Sequence, residues 1–203
     1  MMHKDSAPLP HPASRVVSKK KLSDNNNDLI YWLMQSEETR LKAVDALRYQ
    51  YSLLVDMELT HDFQKFVQKL NGVGAEYIIA GGFAVALYGY PRYTGGIDIW
   101  INPVPANAAK VLQVLQEMGY SDKEVNLEDL TTIDVVVQLG YPPNRIDLTT
   151  GMTGIEFNSC WQNKASMPFG GEMAYFISLN DLKKNKKATA RQQDLLDLQN
   201  LPE

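Results

Sequence analysis

The stretch Tyr77–Ile101, YIIAGGFAVALYGYPRYTGGIDIWI, constrains this chain more than any other. AEYIIAGG predicts a short apolar strand that ends on two glycines, Gly81 and Gly82. FAVALYGYP predicts a short helix closed by Gly89 and Pro91, and GIDIWIN a second strand. Alternate residues of a strand share a face, so Ile97, Ile99 and Ile101 point into a core. Gly96, Asp98 and Trp100 point the other way, which leaves one acid, Asp98, on a strand that is otherwise apolar. The apolar window is too short and too interrupted by glycine to cross a bilayer, which takes about 20 residues.

At 203 residues the chain is long enough for one well-packed domain and an appendage. A hydrophobic content of 44% with 22% charged residues suits a water-soluble domain. The net charge of −4 argues against a protein that coats nucleic acid through bulk basicity, but leaves room for a local basic groove. A lone cysteine, Cys160, cannot form an internal disulfide, which fits a reducing, cytoplasmic setting. The opening MMHKDSAPLPHPASRVVSKKK has no apolar segment to serve as a signal peptide. His3, His11 and His61 lack metal-site spacing, so no zinc site is expected.

Three regions follow from composition and periodicity. Residues 1–24 read as a disordered tail with a solvated run of lysines at 19–21. Residues 25–58 read as a helical appendage, with Leu41, Val44, Leu47 and Tyr51 at helical spacing. Residues 59–203 read as the main domain, beginning with a helix whose stripe is Phe63, Phe66, Val67 and Leu70 and which Thr60 caps. Later come a helix behind Pro105, strands over IDVVVQLG and NRIDLTTG, a helix in IEFNSCWQNK, an extended EMAYFIS and two closing helices. The fold class is α+β: a small mixed β-sheet flanked by helices, with an N-terminal helical appendage.

In NRIDL, Ile146 and Leu148 are buried and Arg145 and Asp147 share the opposite face. If the two acid-bearing strands are neighbours, Asp98 and Asp147 converge at one sheet edge. Paired carboxylates suit Mg²⁺, which takes oxygen ligands together with substrate phosphates. A helix that starts on a glycine turn offers N–H groups to phosphate.

Gly81-Gly82, the RYTGGIDI segment and the later RIDL together resemble the minimal nucleotidyltransferases of the DNA polymerase β superfamily, closest to the bacterial abortive-infection and toxin–antitoxin type. The likeness covers about residues 62–200 and includes the closing FISLNDLKKNKKATARQQDLLDLQNL. The segment 28–54 resembles a small helical protein encoded beside such transferases, here fused in front. The resemblance implies a nucleotidyltransferase fold and Mg²⁺- or Mn²⁺-dependent transfer of a nucleoside monophosphate from an NTP, such as ATP, to a hydroxyl. The implied acceptor is an RNA end (tRNA among them) or a protein side chain, in a toxin–antitoxin or phage-defence setting, with an antitoxin-like partner and no membrane.

Carried over residue by residue, Gly81 and Gly82 form the phosphate turn. Asp98 and Asp147 are metal ligands and catalytic acids, with Asp147 the general base. Arg92, Thr94, Lys187 and Arg191 contact the nucleotide phosphates. The first acid of the family's pair falls on Gly96, which has no ligand to offer. Three outcomes stay open: an impaired enzyme, a catalytically silent binding protein, or a site restored by another carboxylate such as Asp194. Transfer to a small hydroxylated antibiotic is the other enzymatic alternative. Arg92 is placed to pair with Asp98 or Asp147, and Trp100 either stacks a base or packs.

Overall fold

The computed structural model describes residues 17–21, 36, 61–142 and 144–203. The helices expected over 28–54 lie outside the described residues, Ser36 apart, and so does the Thr60 cap.

Strand β1, Val17–Lys21, comes first. Helix α1 is His61–Gly72, β2 is Tyr77–Ala80, α2 is Gly81–Leu87 and β3 is Gly96–Ile101. Helices α3, Pro105–Glu117, and α4, Leu127–Thr131, follow. Strands β4, Val135–Leu139, and β5, Arg145–Thr149, form a hairpin in which the Asn144 N–H donates to the Tyr141 carbonyl at 3.0 Å. Helix α5 is Phe157–Asn163. A second hairpin joins β6, Ala165–Phe169, to β7, Glu172–Phe176. Helices α6, Leu179–Thr189, and α7, Gln192–Asn200, close the chain.

The seven strands make one mixed sheet in the order β1-β4-β5-β3-β2-β7-β6. β3 pairs with β5 and β2 with β7 in parallel, and the remaining pairs are antiparallel. This is the mixed α+β architecture that the pattern of helices and strands predicts. Residues 17–21 correct the reading of the whole N-terminus as a tail. They pair residue for residue with β4 at the sheet edge, and Lys19 reaches Asp129 at 2.6 Å. A lysine-rich strand is a normal edge, because charged side chains discourage further pairing there. β6 is the other edge, which tolerates Pro168 and its missing donor. The sequence reading left β6 out, since Pro168 interrupts its pattern and, among the described residues, it pairs with β7 alone.

One face of the sheet is the core. Ile97, Ile99 and Ile101 lie beside Ile146, Leu148, Val137 and Leu139, all buried. Phe63, Phe66, Val67 and Leu70 of α1 and Val111, Val114 and Leu115 of α3 complete the same cluster. Each such side chain stabilises the fold by roughly 1.5–3 kcal/mol through removal from water. Asn107, in the first turn of α3, ties the strand ends together. Its amide donates to the carbonyls of Glu76 and Asn102 at 2.9 Å and accepts from the Glu76 N–H at 2.7 Å.

Candidate phosphate-binding acidic edge

The other face carries a polar row. Ser18, Gln138, Asp147, Asp98 and Ala80 are register partners across β1, β4, β5, β3 and β2. Directly paired residues put their side chains on the same side of a sheet, so Asp98 and Asp147 stand next to each other. The row ends at Gly81, the first residue of α2, where the chain takes φ +58°. A Cβ on Gly81 would lie 2.6 Å from Asp98 Cγ, and one on Gly82 would lie 2.6 Å from Thr94 Cβ. Both glycines therefore make room for neighbouring side chains, and Gly81 also adopts a backbone conformation that side chains disfavour. Thr94 holds the turn before β3 by donating to the Gly96 carbonyl at 2.8 Å.

The two acids differ in their surroundings. Asp147 accepts a forked pair of hydrogen bonds from Arg145, Nε at 2.7 Å and Nη2 at 2.8 Å, and a third from Gln138 at 3.1 Å. Gln138 in turn accepts from Ser18 at 3.1 Å. Half-buried Asp98 has no hydrogen-bond or ion-pair partner among the described residues. Burial and the neighbouring Asp147 push its pKa up to about 6, against the pull of Arg145, Arg191 and Arg92. Asp98 is thus an acceptor that feels three guanidinium groups without pairing to any of them.

Position 96 departs from the strand alternation. Facing Cβ atoms of paired strands normally stand about 5 Å apart. A Cβ built on Gly96 would lie 3.0 Å from Arg145 Cβ and 2.8 Å from its carbonyl carbon, and would overlap the carbonyl oxygen. β3 and β5 are pinched at this row, so a side chain at 96 would meet the β5 backbone instead of joining Asp98. Gly96 is a packing requirement of this pair of strands.

The closing helices explain several other residues. Arg92 forms a forked ion pair with Asp197 at 2.6 and 2.8 Å, not with Asp98 or Asp147, and so fastens α7 to the loop before β3. Lys186, with only 3% of its side chain exposed, bridges Asp194 at 3.0 Å and Asp197 at 2.6 Å. Arg191 and Thr189 complete the shell of Asp194 at 2.7 and 2.8 Å. Burial alone would raise both acids. Arg191 and Lys186 instead hold Asp194 down at about 2, and Arg92 and Lys186 lower Asp197. Asp194 is therefore committed to this network and unavailable to restore the acidic edge. Arg191 projects to solvent, and it feels Asp98 as well as Asp194. Lys187 is exposed, and its neighbour Lys186 is the lysine that turns inward. Trp100 is buried, edge-on to Phe157 of α5 at 5.0 Å and 80°, which settles it as packing and removes it as a platform for a base.

The sequence places Arg145 on the face of Asp147 and Lys186 in a lysine run, but assigns a role to neither. The signal for Arg145 was present, since residues two apart in a strand share a face. For Lys186 there was none within a run of four lysines.

These residues do not fit a two-cation centre. Among the described residues two carboxylates meet here, both oxygens of one are taken by Arg145, and the backbone blocks a side chain at position 96. Among the described residues no group of three or more His, Cys, Asp or Glu side chains could hold a metal ion. No described helix is long and apolar enough to cross a membrane.

Two solved structures are similar in chain path. One is an antigenic nucleotidyltransferase-like protein from Paracoccidioides brasiliensis, 17% identical over 69% of this chain and 75% of that one, with a TM-score of 0.44. The other is a lincosamide antibiotic adenylyltransferase with lincomycin bound, 14% identical over 70% of this chain and 95% of that one, with a TM-score of 0.41. No family model matches the sequence, and no curated protein matches it significantly.

Proposed function

We propose that this chain is a nucleotidyltransferase-type protein that holds an NTP by its phosphates at the acidic edge and does not carry out efficient metal-dependent transfer. The pinch at Gly96 against the Arg145 backbone carries this reading, because it denies the edge a third carboxylate whichever way side chains turn. The phosphates would lie over the Gly81-Gly82 turn beside Thr94, with Arg191 and Lys187 as solvent-side cations. Arg92 would act at one remove, by fixing α7. RNA or a protein would then be a bound partner and not a modified acceptor. A toxin–antitoxin or phage-defence role rests on the sequence resemblance.

One observation favours the alternative of residual transfer. Asp98 has no hydrogen-bond partner among the described residues, and burial and Asp147 push its carboxyl up to about 6, toward the range that suits a general base at neutral pH.

ATP titration by calorimetry, with Gly81→Ala as the control, tests the proposal. The added methyl would collide with the Asp98 carboxylate, and affinity should drop by about tenfold or more. In parallel, labelled NTPs, Mg²⁺ and total RNA are incubated with the protein, and no label should pass to RNA or protein. Absence of ATP binding would overturn the nucleotide reading. Labelling that Asp98→Asn abolishes would establish the transferase alternative.

A further inference from the structure

Building on the nucleotide-binding reading, we propose that Arg145 takes the place a divalent cation would occupy, so that nucleotide binding at this edge is independent of metal. Arg145 and Asp147 are two residues apart on β5, which puts both side chains on the polar face of the sheet. Their forked contact engages both carboxylate oxygens, and Gln138 adds a further donor. Planar guanidinium matches a carboxylate in this way, whereas an ammonium does not. The pair is well shielded, with 11% of the Arg145 and 13% of the Asp147 side chain exposed.

Asp98 is the next residue across the sheet, and Arg145 is the cation that acts most strongly on it. The Arg145 charge is neutralised in the pair with Asp147 and only partly offsets burial and repulsion at Asp98. Magnesium would have to expel a guanidinium that is already bonded and would still find only two carboxylates, whereas it demands near-octahedral oxygen coordination. The same residue also supplies the obstruction at Gly96, through its backbone carbonyl. Side chain and main chain of Arg145 therefore act together to keep a metal ion off this edge.

Two measurements on the full chain decide this. Mn²⁺ titration followed by electron paramagnetic resonance reads metal binding without nucleotide. The native protein should leave the free Mn²⁺ signal intact, and Arg145→Gln should quench it, because the two acids are then released. ATP calorimetry in EDTA and in Mg²⁺ should give native affinities within about twofold of each other, while Arg145→Gln should bind about tenfold more weakly in EDTA than in Mg²⁺. Circular dichroism verifies that Arg145→Gln is folded. Should it not fold, Arg145→Lys replaces it, since the rounder ammonium cannot engage both oxygens and should let Mn²⁺ compete.

Native Mn²⁺ binding, a folded variant that fails to bind Mn²⁺, or native ATP affinity that collapses in EDTA would each overturn the proposal. If ATP binds under neither condition, the nucleotide reading falls, and Mn²⁺ resonance still decides the role of Arg145.

Discussion

Gly95 and Gly96 are adjacent in sequence, yet the structure predicts opposite responses to the same added methyl. At Gly96 the methyl carbon would overlap the Arg145 carbonyl oxygen and stand 2.8 Å from the carbonyl carbon. Backbone held in a central parallel pair cannot step aside as the end of a long side chain could. Overpacking of this kind costs about 1–3 kcal/mol, and a contact against main chain belongs at the upper end. At Gly95 the nearest atoms are Arg145 Nη2 at 3.7 Å and Pro142 at 3.8 Å, which is ordinary contact. Its backbone needs no left-handed conformation, so Gly95→Ala should stabilise by about 0.4–1 kcal/mol through a less flexible unfolded chain. For a chain of this size about 1 kcal/mol shifts the melting temperature by roughly 2–4 °C. The pair should therefore melt about 7–16 °C apart, with Gly96→Ala the lower, and guanidinium titration should show a shifted midpoint at unchanged slope. Equal melting temperatures would refute the pinched pairing of β3 and β5. Gly96→Asp should be no more stable than Gly96→Ala and should not restore transfer, because its carboxylate starts from the same obstructed carbon.

Two further predictions concern charge. Asp98 keeps its proton in the fold up to a pH of about 6 and loses it in the unfolded chain near 3.8. The folded state binds more protons between those values, so stability falls as pH rises through 4 to 6. Asp98→Asn should remove that contribution and gain up to about 3 kcal/mol at pH 7, as read by melting temperature against pH; a variant whose pH profile in that window matches the native protein's would refute the assignment. Lys186→Met removes the cation between Asp194 and Asp197. Breaking a buried pair costs about 3–5 kcal/mol, and the retained Arg191 and Arg92 contacts place this variant near the lower figure in denaturant titration.

Much of this architecture was legible in the residues. Alternation in GIDIWI and NRIDL was enough to set the isoleucines inward and Asp98 and Asp147 outward, since strand geometry has a period of two whatever surrounds it. The Phe63–Leu70 stripe likewise predicted α1 and its buried face, because helix period is local. The two glycines marked a turn, although the reason for them is the close approach of Asp98 and Thr94, which no local pattern records. Edge strands β1 and β6 were missed for a related reason. A short strand gains its stability from a partner, and lysines or a proline hide that partner from a periodicity search.

Sequence by itself determined which residues could meet at the acidic edge, because backbone periodicity assigns faces before any packing is known. Tertiary structure alone decided what those residues do to one another. It pressed Arg145 against both Asp147 and Gly96, turned Lys186 inward in place of Lys187, and gave Arg92 to Asp197. Such choices depend on distances between segments far apart in the chain, where a shift of one ångström separates a carboxylate open to a cation from one already held by an arginine.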